Sequence, residues 1–184
     1  LFSYAFDGFV TSFFTPVISG AKVIIAGERE IKDPGKLAKV MEREGVTHFI
    51  SVPALYRVIM AVLSPKQATA LQVVTLAGEL LSPDIPGTTR AKNKGLELVN
   101  EYGVTEAAVM STINRHQEKS EAIEIGKPTW NTRVYILDRY RCIQPIGVPG
   151  ELCIAGVGIA RGYLNNPGLT RKSFIYYRSN RSYK

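Results

Sequence analysis

Val46-Thr47-His48-Phe49-Ile50-Ser51-Val52, followed at once by Pro53 and then by Leu55, Val58, Ile59 and Val62, decides the fold. The first seven residues are a short apolar run rich in β-branched and aromatic side chains, which predicts a strand. Pro53 suits a first helical position, and the apolar residues after it recur at helical spacing, which predicts a helix. Downstream, Gln72 to Ala77 (QVVTLA) predicts a second strand, Ser82-Pro83-Asp84 opens a weaker helical stretch, and Leu96 to Val99 (LELV) predicts a third strand. Upstream, Asp33-Pro34 supplies an N-cap and a first-turn proline to a helix carrying Leu37, Val40 and Met41, and Gly45 stops it. Lys22 to Ala26 (KVIIA) predicts one more strand before that helix. Strand, helix and strand at this pitch imply βαβ units on a largely parallel sheet. Ligands of such sheets bind beyond the carboxyl ends of the strands, so Asp7, Ser51, Thr75 to Gly78, and Asn100 to Glu106 hold the places of interest.

The pattern changes after about Ile113. A polar loop runs from Asn114 to Glu124, and short strand runs follow at Arg133 to Leu137 (RVYIL) and Glu151 to Ala155 (ELCIA), with Gly and Pro between them. The expected architecture is therefore α/β over residues 1–113, a mostly parallel sheet with flanking helices, followed over 114–184 by a small antiparallel, barrel-like β unit.

Composition narrows the classes of function. Of 184 residues, 45% are hydrophobic and 21% charged, an ordinary globular balance. The longest apolar run, Phe13 to Ile18, is interrupted by Thr15 and Pro16 and is too short for a bilayer. Leu1-Phe2-Ser3-Tyr4 has neither a basic start nor a cleavage site, so no secretory signal, no membrane partner and a cytoplasmic location are expected. The net charge is +7, but the basic residues interleave with Glu, as in Glu28-Arg29-Glu30 and Glu42-Arg43-Glu44. Only the tail with Arg171, Lys172, Arg178, Arg181 and Lys184 is locally basic, and without a basic stripe or aromatic platform it reads as solvated rather than as a nucleic-acid surface. Cys142 and Cys153 lie in apolar, strand-like runs with no CxxC or Cys/His cluster, so reduced core cysteines are expected rather than a disulfide or zinc.

Four segments carry groups with chemistry. Phe6-Asp7-Gly8 offers a carboxylate to a ligand ammonium, or an N-cap to the helix that follows. Leu76-Ala77-Gly78-Glu79 offers small residues for a planar ligand to approach, or a tight strand-to-helix turn. Asn100-Glu101-Tyr102-Gly103-Val104-Thr105-Glu106 packs an amide, an aromatic, a hydroxyl and carboxylates after a strand, either as a surface loop or as groups for adenine, phosphate and magnesium. Gly150 to Leu164 (GELCIAGVGIARGYL) is glycine-rich, yet it lacks the spacing and the Lys-Ser/Thr end of a phosphate loop and reads locally as a turn linking strands.

In series these segments resemble the adenylate-forming enzymes, specifically adenylation domains of nonribosomal peptide synthetases. Phe6-Asp7-Gly8 is similar to that family's FDx motif, NEYGVTE to its NxYGPTE motif, and GELCIAGVGIARGYL to its GELxIxGxGxARGYL motif. Asn166-Pro167, Thr170 and Phe174 continue the likeness, and Tyr183-Lys184 resembles the start of the Y(K/R)TGD motif. The resemblance runs over essentially the whole chain.

The resemblance implies that Asp7 holds the substrate α-amino group, with Gly8, Thr11, Ser51, Thr75, Ala77, Glu101, Val109 and Met110 lining the specificity pocket. Asn100 and Tyr102 would address adenine, helped by Gly78 and Gly103. Thr105 would contact the α-phosphate and Glu106 would coordinate magnesium. The implied pocket resembles those of tyrosine-activating domains, since small residues leave depth and Ser51, Thr75 and Glu101 suit a phenol. The implied cofactors are ATP and Mg2+, and the implied partners are an amino acid, carrier and condensation domains, and the phosphopantetheine of the carrier. Val104 replaces the motif's proline, and Phe9 stands where a serine is common and is expected to turn toward packing. The family's phosphate loop would precede Leu1, while the TGD aspartate and the small domain with the adenylation lysine would follow Lys184. The expectation is a chain without catalytic residues of its own, inactive alone because transition-state electrostatics are usually a large contribution. An acyl- or aryl-CoA ligase of the same superfamily is the competing enzyme, against which Asp7 argues, and a non-catalytic binding module is the competing non-enzyme.

Overall fold

The computed structural model describes residues 1–119, 122–177 and 180–184. The chain forms two compact units, one of residues 1–102 and 113–126, the other of residues 103–112 and 127–184. These units differ from a single cut near residue 113, because residues 103–112 belong with the second unit and residues 113–126 with the first.

The first unit begins with α1 (Gly8–Ile18), which contains Pro16, and the short α2 (Glu28–Ile31). Then α3 (Pro34–Glu44) forms as its ends predict. The Asp33 carboxylate accepts the N–H groups of Gly35 at 3.0 Å and Lys36 at 3.1 Å, Pro34 stands in the first turn, and Gly45 closes the helix in the left-handed conformation. Strand β1 (His48–Ser51) leads into α4 (Pro53–Val62), again with proline in the first turn. A further helix, α5 (Pro65–Ala70), starts with a capping box: Ser64 and Gln67 each accept the other's backbone N–H. Strand β2 (Val73–Ala77), α6 (Asp84–Lys92), β3 (Glu97–Tyr102) and β4 (Thr112–Asn114) follow.

Strands β1, β2 and β3 are parallel neighbours, paired His48 with Val73 through Ser51 with Leu76, and Val73 with Glu97 through Ala77 with Glu101. Leu37 and Met41 from α3, Tyr56 and Ile59 from α4, and Val74, Leu76 and Leu98 from the strands make one continuous core. Side chains alternate along a strand, so Thr75, Ala77, Val99 and Glu101 take the sheet face opposite Val74, Leu76 and Leu98. Lys22 to Ala26 is not a strand, contrary to its apolar pattern. Hydrophobicity favours a strand, but a strand also needs a neighbouring backbone to complete its hydrogen bonds, and no described residue supplies one. Ile25 there is 80% exposed.

The second unit opens with a 3₁₀ turn at Thr105–Ala107 and, after the two-residue β5 (Lys127–Pro128), builds an antiparallel sheet. Its strands are β6 (Thr132–Leu137), β7 (Glu151–Gly156), β8 (Phe174–Tyr177) and β9 (Asn180–Tyr183), in the order β6-β7-β9-β8. Helix α7 (Pro167–Ser173) precedes β8 and is capped by the Asn166 side chain. Cys153 is fully buried beside Leu137 and Ile175, as expected of a core thiol. Cys142 is exposed, because its backbone belongs to a tight turn in which the Asp138 carboxylate accepts the N–H groups of Tyr140 and Cys142, both at 2.8 Å. In the basic tail Arg171 and Lys172 are exposed, Lys184 lies 3.7 Å from Glu151, and Arg178 falls outside the described residues. No helix among the described residues is long and apolar enough to cross a membrane.

Candidate functional site

In the first unit the candidate residues occupy the start of α1 and the carboxyl ends of β1, β2 and β3. Asp7 stands at the N-cap position of α1, yet its side chain makes no capping hydrogen bond and its backbone is already helical. The capping alternative for this carboxylate is therefore not realised. Gly8 is buried, and a Cβ there would come within 2.9 Å of the Phe2 ring. Thr11, one turn along, turns its hydroxyl toward the Gly8 carbonyl at 3.4 Å. Phe9 packs as expected, stacked on Phe13 with centroids 5.2 Å apart and edge-on to Phe14.

The register brings Thr75, Ala77 and Glu101 onto one face and leaves Ser51 on the other, beside Leu76 and Asn100. Ser51 is wholly buried and its hydroxyl donates to the Val52 carbonyl. Asn100 is also buried, and its amide donates to the Glu124 carbonyl at 2.8 Å. Its carbonyl oxygen is the part left to accept from a ligand amine. Gly78 is exposed just past the end of β2, and Tyr102 is half-buried at the end of β3.

Glu101 is the electrostatic outlier of this unit. It is 6% exposed, and burial pushes its carboxyl up to about 7. A carboxyl so placed exists in both protonation states near neutral pH, and either state has an acceptor oxygen for a ligand hydroxyl. A buried ionisable group on a polar sheet face, shifted by burial rather than by a neighbouring charge, is a recognised sign of a binding site.

In the second unit the candidates lie on and after the 3₁₀ turn. Val104 has φ −134° and ψ 150°, well outside the φ that a proline ring permits, so the departure from the motif's proline has a backbone counterpart. Thr105 is exposed and Glu106 half-buried. Ala108 and Val109 both take positive φ, 57° and 75°. For a β-branched residue such as Val109 this is strained, and strain of this kind gathers at functional sites. The doubled-back chain sets the Val109 carbonyl so close to Gly103 that a Cβ at 103 would sit 1.7 Å from it, which fixes glycine there. Met110 is half-buried and follows directly.

Tyr163, which sequence reasoning did not single out, joins this group. Its hydroxyl donates to Glu106 Oε1, and that bond pushes the phenol up to about 12. The Ala160 N–H also donates to the Glu106 carbonyl, at 2.8 Å. Tyr163 and Glu106 are 57 apart in sequence, so no local pattern could reveal the pairing. Among the described residues no group of three or more His, Cys, Asp or Glu could cage a metal. A single accessible carboxylate such as Glu106 still fits magnesium, which keeps several waters and takes substrate phosphates in place of an all-protein cage.

Residues 1–164 match the family model of the AMP-binding enzymes. The chain is 46% identical over 175 residues to tyrocidine synthase 3 of Brevibacillus parabrevis, covering 95% of this chain and 3% of that protein. It is likewise 46% identical over 175 residues to gramicidin S synthase 2 of Aneurinibacillus migulanus, covering 95% of this chain and 4% of that protein. Among solved structures, the nonribosomal peptide synthetase FmoA3 superposes with a TM-score of 0.86 at 30% identity, covering 100% of this chain and 21% of that one. Its AMPPNP-bound form superposes with a TM-score of 0.87. The chain thus spans a small part of the length of the proteins it matches.

Proposed function

The chain belongs to the AMP-binding enzyme family, and from that premise we propose that it is part of an adenylation domain of a nonribosomal peptide synthetase. The reaction is activation of an amino acid by ATP. A substrate carboxylate oxygen attacks the α-phosphorus, the bond to the β-phosphate oxygen breaks, and pyrophosphate leaves aminoacyl-AMP behind. The phosphopantetheine thiol of a carrier domain then attacks the acyl carbon and releases AMP, and a condensation domain uses the product.

The observation that carries this reading is the Asp7 carboxylate, held at a helix start without capping it. A carboxylate kept from its usual local hydrogen bonds is available to an ammonium group, which an amino acid has and a fatty or aryl acid lacks. Thr75, Ala77 and Glu101 form one polar-edged wall, and Glu101 accepts from the hydroxyl of a phenol, which favours tyrosine as the substrate. The family resemblance assigns Thr11, Val109 and Met110 to the same substrate. Asn100, Tyr102, Gly78 and Gly103 serve the adenine, Thr105 the α-phosphate, and Glu106 gives one oxygen to Mg2+. The magnesium ion supplies neutralisation of phosphate charge when it is bound.

The test is pyrophosphate exchange by the polypeptide carrying these residues, with each of the common amino acids, fatty acids and aryl acids offered in turn. Amino-acid-dependent exchange, greatest with tyrosine and abolished by Asp7→Ala, is the expected result. Exchange with fatty or aryl acids and none with amino acids would transfer the chain to the acyl- or aryl-CoA ligases. The 184 residues alone are expected to give no exchange, and calorimetry with a tyrosyl-AMP analogue reports whether they retain binding.

A further inference from the structure

The glycine-rich run from Gly156 to Leu164 reads from sequence as a turn between strands, and it does more than turn. Gly158 packs close enough to the 3₁₀ turn that a Cβ there would lie 3.0 Å from the Ala107 carbonyl oxygen. Two residues on, the Ala160 N–H donates to the Glu106 carbonyl. Gly162 then takes φ +131°, and a Cβ on it would lie 2.5 Å from Thr170 Cγ2, so the chain passes Thr170 only as glycine. Tyr163 follows, with its N–H donating to Thr170 Oγ1 at 2.9 Å. Its ring meets Phe174 edge-on at 5.6 Å, and Phe174 meets Tyr183 edge-on at 5.4 Å. The ring is thus held from the backbone side and from the aromatic side before its hydroxyl reaches Glu106 Oε1.

From this arrangement we infer that Tyr163 is a positioning residue for the Glu106 carboxylate, fixing Oε1 so that Oε2 is turned to the magnesium–nucleotide complex. The inference rests on the adenylation reading for the identity of that ligand and on the geometry for the role. The Ala160 hydrogen bond anchors the backbone of Glu106 and the Tyr163 hydroxyl anchors its side chain. Each rotatable bond of a glutamate lost in advance is one that cation binding does not have to freeze. Partners that orient a metal ligand in this way usually matter to metal affinity by about 10–100-fold. Glu106 is a single carboxylate among waters and phosphate oxygens, so the lower end, about tenfold, applies here.

Tyr163→Phe removes the hydroxyl and leaves the ring on Phe174. The measurement is calorimetric binding of AMPPNP to the polypeptide carrying these residues, as Mg2+ is titrated and again with Mg2+ chelated. The expected result is an Mg2+ requirement about tenfold higher, with binding in chelator unchanged. Glu106→Gln should remove most of the same Mg2+ dependence, and adding Tyr163→Phe to it should cost nothing more. An unchanged Mg2+ requirement in Tyr163→Phe overturns the role. So does an equal loss with and without Mg2+, which would mark a residue that only holds the fold. The readout separates this inference from the substrate reading. Wild-type protein that binds Mg-AMPPNP and shows the Tyr163 effect, but exchanges with no amino acid, sinks the substrate reading alone. Wild-type protein that does not bind Mg-AMPPNP sinks both.

Discussion

The two units are stabilised by different means. The first has a broad apolar core drawn from α3, α4, α5, α6 and three parallel strands, and its helices α3 and α5 start at capping side chains. The second has a core cluster of Leu137, Cys153 and Ile175 with Tyr135 against it. Its order comes instead from close backbone passes at Gly103, Gly158 and Gly162 and from hydrogen bonds between distant residues. A large core tolerates polar side chains at its rim, so the first unit can carry a buried carboxyl at Glu101. A small core leaves geometry to glycines, and there a single added carbon is the serious injury.

The sharpest way to break this contrast is to cut one leucine from each core. Leu98→Ala empties space among many buried neighbours and is expected to cost about 4 kcal/mol, against about 2 kcal/mol for Leu137→Ala, where the small cluster can collapse. Chemical denaturation measures both, and equal costs would dissolve the distinction. Next in size is Gly103→Ala, whose methyl group meets the Val109 carbonyl. A cost of about 3 kcal/mol is expected, together with loss of AMPPNP binding. A tolerant Gly103 would mean that the turn is looser than its geometry.

The third effect is electrostatic and concerns Glu101. Its folded carboxyl, at about 7, lies above the usual 4.5, so the folded state holds that proton more tightly than the unfolded state. This contribution is therefore complete below about 4.5 and is lost as pH rises toward 7, the reverse of a salt-bridged carboxylate. Glu101→Gln should flatten that fall and make the protein more stable at pH above 7, by on the order of 2–3 kcal/mol. Thermal unfolding across the pH range tests it, and an unaltered slope between 4.5 and 7 would refute the assignment. The smallest effect expected is at Asp33→Ala, which removes the cap of α3 and should cost about 1 kcal/mol. A much larger loss there would show that the first unit depends on its helix ends more than on its core.

What can be read in advance follows the same division. Asp33, Pro34, Gly45 and Pro53 announce helix ends by local stereochemistry, and β1 to β3 announce themselves by apolar runs, because those signals act within a few residues. The Ser64 and Gln67 box that starts α5 is equally local, but the helix is too short to show an apolar period. Lys22 to Ala26 misleads because pairing depends on a partner strand that local sequence does not contain. Cys142 misleads because apolar neighbours in sequence do not make a core when the backbone is a turn. Among site residues, the positions after β2 and β3 are legible from topology. That Ser51 faces away from Thr75, Ala77 and Glu101 depends on strand register, and the Tyr163 contact depends on tertiary closure.

The positive φ of Val109 has an evolutionary consequence. A β-branched residue in that conformation is disfavoured, so exchange for asparagine or glycine relaxes the backbone there. Most changes in a protein weaken its fold and must be compensated elsewhere before they can spread. At position 109 a new side chain and a calmer backbone arrive together, which makes this position the readiest place for a descendant of the chain to try a different substrate.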